Sequence, residues 1–132
     1  MMVPQMQGKL IDAVLAVSPE VQTLYDPFAG SGTILTETML RGRNFQGLDI
    51  NPLAILLCHV KAVVIAENVL LEASERILKH VDRSNVQTVE LNFPGLIKWF
   101  RSDIALELSK LREAIRQEED LEIRRFFWVG EF

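Results

Sequence analysis

The sequence predicts an α/β chain that opens as a doubly wound parallel sheet. Three observations predict it. Short apolar, β-branched or aromatic stretches at 21–25 and 45–50 read as strands, a glycine-bearing loop follows the first, and helical patterns follow both.

The elements follow in order. Over 9–17, Leu10, Ile11, Val14, Leu15 and Val17 fall mostly on one stripe, which predicts an amphipathic helix closed by Ser18-Pro19-Glu20. The strand over 21–25 runs straight into Asp26-Pro27. After the loop Gly30-Ser31-Gly32-Thr33, Ile34, Leu35 and Met39 pattern a helix that stops at Gly42. The strand over 45–50 carries Asp49 near its end. Asn51-Pro52 then starts a helix, with Asn as the cap and Pro in the first turn. That helix is apolar on most of its surface to about Glu67, which predicts deep burial.

The second half is less regular. Residues 70–81 pattern a helix, and 86–92 alternate loosely as a strand or extended arm before Phe93-Pro94-Gly95 breaks them. Ser102 is placed to cap a helix with Ile104, Leu108, Leu111 and Ile115 on its apolar face. Residues 121–129 fit strand or helix. About three strands are expected in all, fewer than a complete nucleotide-binding sheet needs. A single incomplete domain over 1–132 is expected, with a cofactor-binding half at about 3–67 and a mixed segment at about 68–132.

Composition narrows the function. The 132 residues suit one domain, and 48% hydrophobic content supports a core. Fourteen basic against 18 acidic residues give a charge of −4. That balance is a poor overall match to phosphate backbones, although net charge hides local patches. Cys58 is a single cysteine and forms no internal disulfide, so a reducing cytoplasm is the expected location. Apolar runs such as 62–66 are far short of the roughly 18 residues of a membrane span, and the start lacks a signal peptide's blocks. No period repeats.

The chemistry concentrates in Asp26-Pro27-Phe28-Ala29-Gly30-Ser31-Gly32-Thr33. Gly30 and Gly32 let a ligand lie against backbone, and the amides opening the next helix favour electron-rich groups. Asp49, seventeen residues after Gly32, ends the neighbouring strand, where a carboxylate can take both hydroxyls of a ribose. Thr33 stands where a P-loop needs Lys, and Leu35 stands at the sixth position of a G-x-G-x-x-G pattern. Asp26 would repel a pyrophosphate but attract a cationic amino group. An adenosine end with an amino-acid end fits better, and S-adenosylmethionine is such a ligand.

The stretch 26–33, with Gly47-Leu48-Asp49-Ile50-Asn51-Pro52, resembles the S-adenosylmethionine site of class I amino-group DNA methyltransferases, which methylate adenine N6 or cytosine N4. The resemblance covers about residues 3–67 and implies a Rossmann-like class I methyltransferase fold, here incomplete. It implies that 26–33 wrap the methionine part, that Asp49 holds the ribose, and that Ile50 packs on the adenine. Asn51 adjoins this set, and its capping role is the stronger reading. Val3-Pro4-Gln5 and the following helix resemble the family's lead-in segment.

One departure limits the carry-over. Such enzymes hold the target base with an Asp/Asn/Ser-Pro-Pro-aromatic tetrapeptide, and this sequence has no Pro-Pro. No catalytic residue is therefore assigned, and the chain alone is expected to be inactive. A second chain or a missing segment would carry the motif, and the apolar ending 126–132 also suggests a fragment. DNA is the expected substrate. An RNA guanine-N2 methyltransferase, whose family shows a similar loop, is the alternative, as is a non-catalytic subunit that keeps the pocket.

The remaining candidates read as structural. Cys58, His59 and His80 lack metal-ligand spacing, so no metal is expected. Trp99-Phe100 and Phe126-Phe127-Trp128 read as core or covered surface rather than base-stacking platforms. Arg124-Arg125, with Arg101 and Arg112, read as a solvated face among glutamates.

Overall fold

The computed structural model describes residues 4–90 and 94–130, which form two compact units, Met1–Val64 and Ile65–Phe132. Unit 1 runs α1 (Pro4–Val17), β1 (Thr23–Asp26), α2 (Thr33–Leu40), β2 (Asn44–Gly47) and α3 (Pro52–Ala62). The strands pair in parallel with Thr23 opposite Asn44 and Asp26 opposite Gly47. A parallel pair needs a crossover, which α2 provides, so β1-α2-β2 is the βαβ unit the sequence predicts.

Alternation sorts the two strand faces. Leu24 and Phe45, cross-strand partners, are half-buried, whereas Tyr25 and its partner Gln46 are exposed. Helices α1 and α3 both pack on α2, which packs on β2.

Helix α1 is longer than the predicted 9–17, because Pro4 suits a first turn. Its buried residues are Gln7, Gly8 and Ile11, while Leu10, Val14 and Val17 of the predicted apolar stripe are exposed. Gly8 explains the rotation. A Cβ there would lie 2.5 Å from Glu37 Oε2 and 2.8 Å from Arg41 Nη2, so this glycine lets the two helices approach. Across the same contact the Arg41 guanidinium holds both oxygens of Asp12, at 2.6 and 2.8 Å, and Glu37 Oε2 at 2.7 Å.

Strand β2 ends at Gly47, short of the predicted 45–50. Beyond it the Leu48 amide donates to the Asp26 carbonyl and the Leu48 carbonyl accepts from Ala29, so the chain turns over the loop. Helix α3 starts as predicted, with Asn51 Oδ1 accepting the Leu53 amide at 3.0 Å. It stops at Ala62 rather than near Glu67, where Val63 turns extended within a β-branched run. It buries Ala54 but leaves Leu53, Ile55, Leu56 and Leu57 half-covered, against the expected deep burial. Within its unit it packs on α2.

Unit 2 is helical: α4 (Glu67–Arg83), α5 (Leu96–Trp99), α6 (Ser102–Arg116) and α7 (Leu121–Gly130). Its core joins Ile77, Ala114 and Ile115, flanked by Val81, Leu111, Phe127 and Trp128. Residues 86–90 form no strand, and 91–93 lie outside the described residues, as do Val3, Glu131 and Phe132. The ambiguous stretch after 120 is a helix, because Asp120 Oδ1 takes the Glu122 and Ile123 amides at 2.8 and 3.0 Å. The sheet among the described residues therefore has two strands rather than three.

Ser102 does not cap α6. Arg101 holds the cap position, and its side chain pairs with Asp103 at 2.7 Å. The buried face of α6 is Ala105, Ser109, Ala114 and Ile115, while Ile104 is exposed, since small residues allow the close approach to α4. Among the aromatics Phe127 and Trp128 join the core, but Trp99 is 70% exposed beside Lys98. Arg125 pairs with Glu122 at 2.7 Å and, like Arg124, is half-buried.

Candidate cofactor site

Strand β1 delivers Asp26 to its C-terminal end, where the residue is buried. Asp26 Oδ1 accepts the Phe28 amide at 2.9 Å, so the acid folds the chain tightly around Pro27. Phe28 is left 85% exposed, and Ala29 turns inward. The loop then rises through Gly30 and Gly32, with φ of 52° and 75°, a backbone region that costs other residues strain. At Gly32 space is also tight, because a Cβ would sit 3.0 Å from Cys58 Sγ.

Helix α2 begins at Thr33 with Gly32 at its cap and no side-chain cap. Among the described residues nothing accepts from the amides of Thr33, Ile34 and Leu35. Three donors at a helix start form a ready seat for an electron-rich group.

Asp49 lies two residues past β2 and is tied to the loop that precedes α2. Its Oδ2 accepts the Gly30 amide and its Oδ1 the Asn51 amide, both at 2.8 Å. These bonds, that from Asn51 foremost, hold its carboxyl below the usual carboxylate range. The Ile50 amide adds a smaller contribution of the same sign. Ile50 beside it is fully exposed. Thus Gly30, Asp49 and Asn51 are joined directly, Asp26 and Phe28 form a separate turn below them, and Ser31 and Thr33 complete the loop. Pro4, at the start of α1, is exposed.

Two residues here escape a sequence reading. Cys58 Sγ lies 3.6 Å from the Gly30 carbonyl, and Lys61 Nζ donates to the Ser31 carbonyl at 2.5 Å. Cys58 is half-buried rather than deep in a core, and His59 is exposed. The signal available was their spacing of one helical turn on the helix after Asp49. Behind the loop lies a largely apolar cavity of about 240 Å³, which Ala29, Leu35, Phe45 and Cys58 help line. Among the described residues no cluster of His, Cys, Asp or Glu could hold a metal, and no helix is long and apolar enough to cross a membrane.

A βαβ unit with a glycine loop after its first strand and an acid beyond its second is the architecture of a nucleoside-cofactor site. The RMKL-like methyltransferase domain family (UPF0020) matches residues 13–116, and the chain belongs to that family. This places it in the class of S-adenosylmethionine-dependent methyltransferases, as the resemblance in residues 26–33 and 47–52 implies. The chain is also similar to the type II methyltransferase M.MvaI of Kocuria varians, with 32% identity over 139 aligned positions. The alignment takes in 98% of this chain and 30% of that protein, so the chain spans about a third of its relative's length. No solved structure matches at a significant level.

Proposed function

We propose that this chain is the S-adenosylmethionine-binding portion of a DNA methyltransferase that acts on an exocyclic amino group of adenine or cytosine. The observation that carries the reading is the Asp49 carboxylate, held by the Gly30 and Asn51 amides within a glycine loop that opens a helix. A ribose diol supplies two donors, and an ionised carboxylate such as Asp49 is an acceptor-only group suited to receive them. The similarity to a type II methyltransferase supports DNA as the substrate.

The residues fit the cofactor. The unpartnered amides of Thr33, Ile34 and Leu35 suit its carboxylate, and the exposed Phe28 and Ile50 offer apolar surface to its adenine. Asp26 is placed to attract the amino group, directly or through water. When bound, S-adenosylmethionine supplies an electrophilic methyl on a positively charged sulfur. What this chain contributes is orientation, since methyl transfer depends mainly on an in-line approach. Asp49 and the loop fix one end of that line. A partner chain or a further segment with a Pro-Pro-aromatic motif would fix the extruded base at the other. On this reading the chain binds the cofactor without turning it over, and works in the cytoplasm.

The test is a calorimetric titration of the purified chain with S-adenosylhomocysteine, with NAD and the Asp49→Ala protein as controls. Micromolar binding that is absent with NAD and lost in Asp49→Ala is the expected result. A folded chain that does not bind would sink the reading. The family also takes in RNA methyltransferases, which keeps RNA guanine N2 as the second target. Preferential retention of structured RNA over duplex DNA in a filter-binding comparison would favour it.

A further inference from the structure

We propose that Cys58 and Lys61 are positioning residues that hold the glycine loop in its cofactor-receptive shape from behind. This role rests on the cofactor reading above and concerns residues to which neither the loop motif nor the family match gives a part.

The backbone geometry is the starting point. A loop can offer amides to a ligand only if its carbonyls point elsewhere and are satisfied there. Consecutive carbonyls of this loop, those of Gly30 and Ser31, point to α3. The first meets the Cys58 thiol at 3.6 Å and the second the Lys61 ammonium at 2.5 Å. Residues three apart on a helix share a face, so a single helix surface engages both. Gly32 lies against the same surface, where a Cβ would come within 3.0 Å of Cys58 Sγ. On the other side the Gly30 amide is committed to Asp49. The peptide groups around Gly30 and Ser31 are therefore fixed from two directions, by α3 on the carbonyl side and by Asp49 on the amide side.

The chemistry of the two groups suits the task. Burial pushes the Cys58 thiol up, against a smaller opposing influence of Lys61, so it remains protonated and a donor at neutral pH. Lys61 has no carboxylate partner among the described residues, which leaves its ammonium to the Ser31 carbonyl. Charged donors make the stronger hydrogen bonds, so Lys61 is the larger contributor of the two.

The experiment compares the unaltered chain with Lys61→Met, Lys61→Arg and Cys58→Ala, titrated in parallel with S-adenosylhomocysteine and with adenosine. Lys61→Met is expected to weaken S-adenosylhomocysteine roughly three- to tenfold, as loss of one hydrogen bond would. Adenosine, which engages Asp49, Phe28 and Ile50 but not the amides that open α2, should keep its affinity within about twofold, a split that a general loss of structure would not produce. Lys61→Arg should recover most of the loss, and Cys58→Ala should show a smaller version of it. Amide hydrogen exchange at Ser31 and Thr33 should quicken in Lys61→Met with the rest of unit 1 unchanged. Equal affinities for both ligands in all four proteins, with the unaltered chain binding well, would overturn the positioning role alone. Parallel loss of both ligands in Lys61→Met would overturn it too. Failure of the unaltered chain to bind either ligand would remove the cofactor reading and this role with it.

Discussion

The Asp49 carboxylate accepts the Gly30 amide at 2.8 Å across nineteen residues of sequence. That bond ties the tail of β2 to the loop after β1, and the Asn51 amide on the other oxygen aims the carboxylate. Replacement of Asp49 by Ala is expected to lower S-adenosylhomocysteine affinity by about tenfold or more, since charge-assisted bonds to two hydroxyls are lost. Asp49→Asn, which keeps one acceptor, should fall between. Calorimetric titration of the three proteins ranks them.

The same carboxylate makes a pH prediction. The Asn51 and Gly30 amides depress its folded-state pKa below the ordinary 3.8, so its stabilisation is complete above that value. It is lost as pH falls through the lower, folded-state value. The stability difference between the natural chain and Asp49→Asn should be flat from neutral down to about pH 5 and shrink below about pH 4. Urea denaturation at a series of pH values reads it, and a difference that grew on acidification would contradict the assignment.

Gly32 carries both a positive φ and a full neighbourhood, whereas Gly42, at φ 63°, has nothing within 4 Å of where a Cβ would lie. Gly42→Ala should therefore cost only the left-handed strain, about 1–2 kcal/mol. Gly32→Ala should cost more, because its methyl meets Cys58. Combining it with Cys58→Ala should return the cost toward that of Gly42→Ala. Denaturant midpoints of the four proteins decide the point.

Arg41, the C-cap of α2, bridges Asp12 of α1 and Glu37 of α2, and Glu37 is mostly covered. Arg41→Gln should lower the melting temperature more than Asp12→Asn, since it also strands the Glu37 carboxylate. The gap between the natural chain and Asp12→Asn should narrow in about 1 M salt, where the Debye length falls to about 3 Å. Thermal melts at two ionic strengths test both statements.

What was legible in the sequence was whatever is decided locally. Asn51 caps α3 because its side chain reaches two residues along the chain, and Gly42 closes α2 because its backbone permits it. The spacing of Asp49 from the loop follows from one βαβ crossover. Features that depend on a neighbour were not legible. The buried face of α1 is set by Gly8 and not by its apolar stripe, because close approach outweighs hydrophobicity where a Cβ has no space. The apolar girth of α3 predicts burial, but girth says nothing of what lies opposite. Residues 121–130 became readable only through the Asp120 cap. At the site, the loop and Asp49 could be picked out by motif, while Cys58 and Lys61 depend on the rotation of α3 about its axis. A pattern of residue types does not encode that angle.

The parallel register, Asp26 opposite Gly47, has a consequence for inheritance as well as for shape. Asp49 reaches the Gly30 amide by counting two steps past a fixed rung of the ladder. Each step along a strand is about 3.3 Å and reverses the side to which a residue points. A codon gained or lost between positions 44 and 48 would carry the carboxylate off by one step and turn it away. Such a length change should silence the site as fully as replacing Asp49 itself, while many single substitutions on the exposed face, at Tyr25 or Gln46, pass without notice.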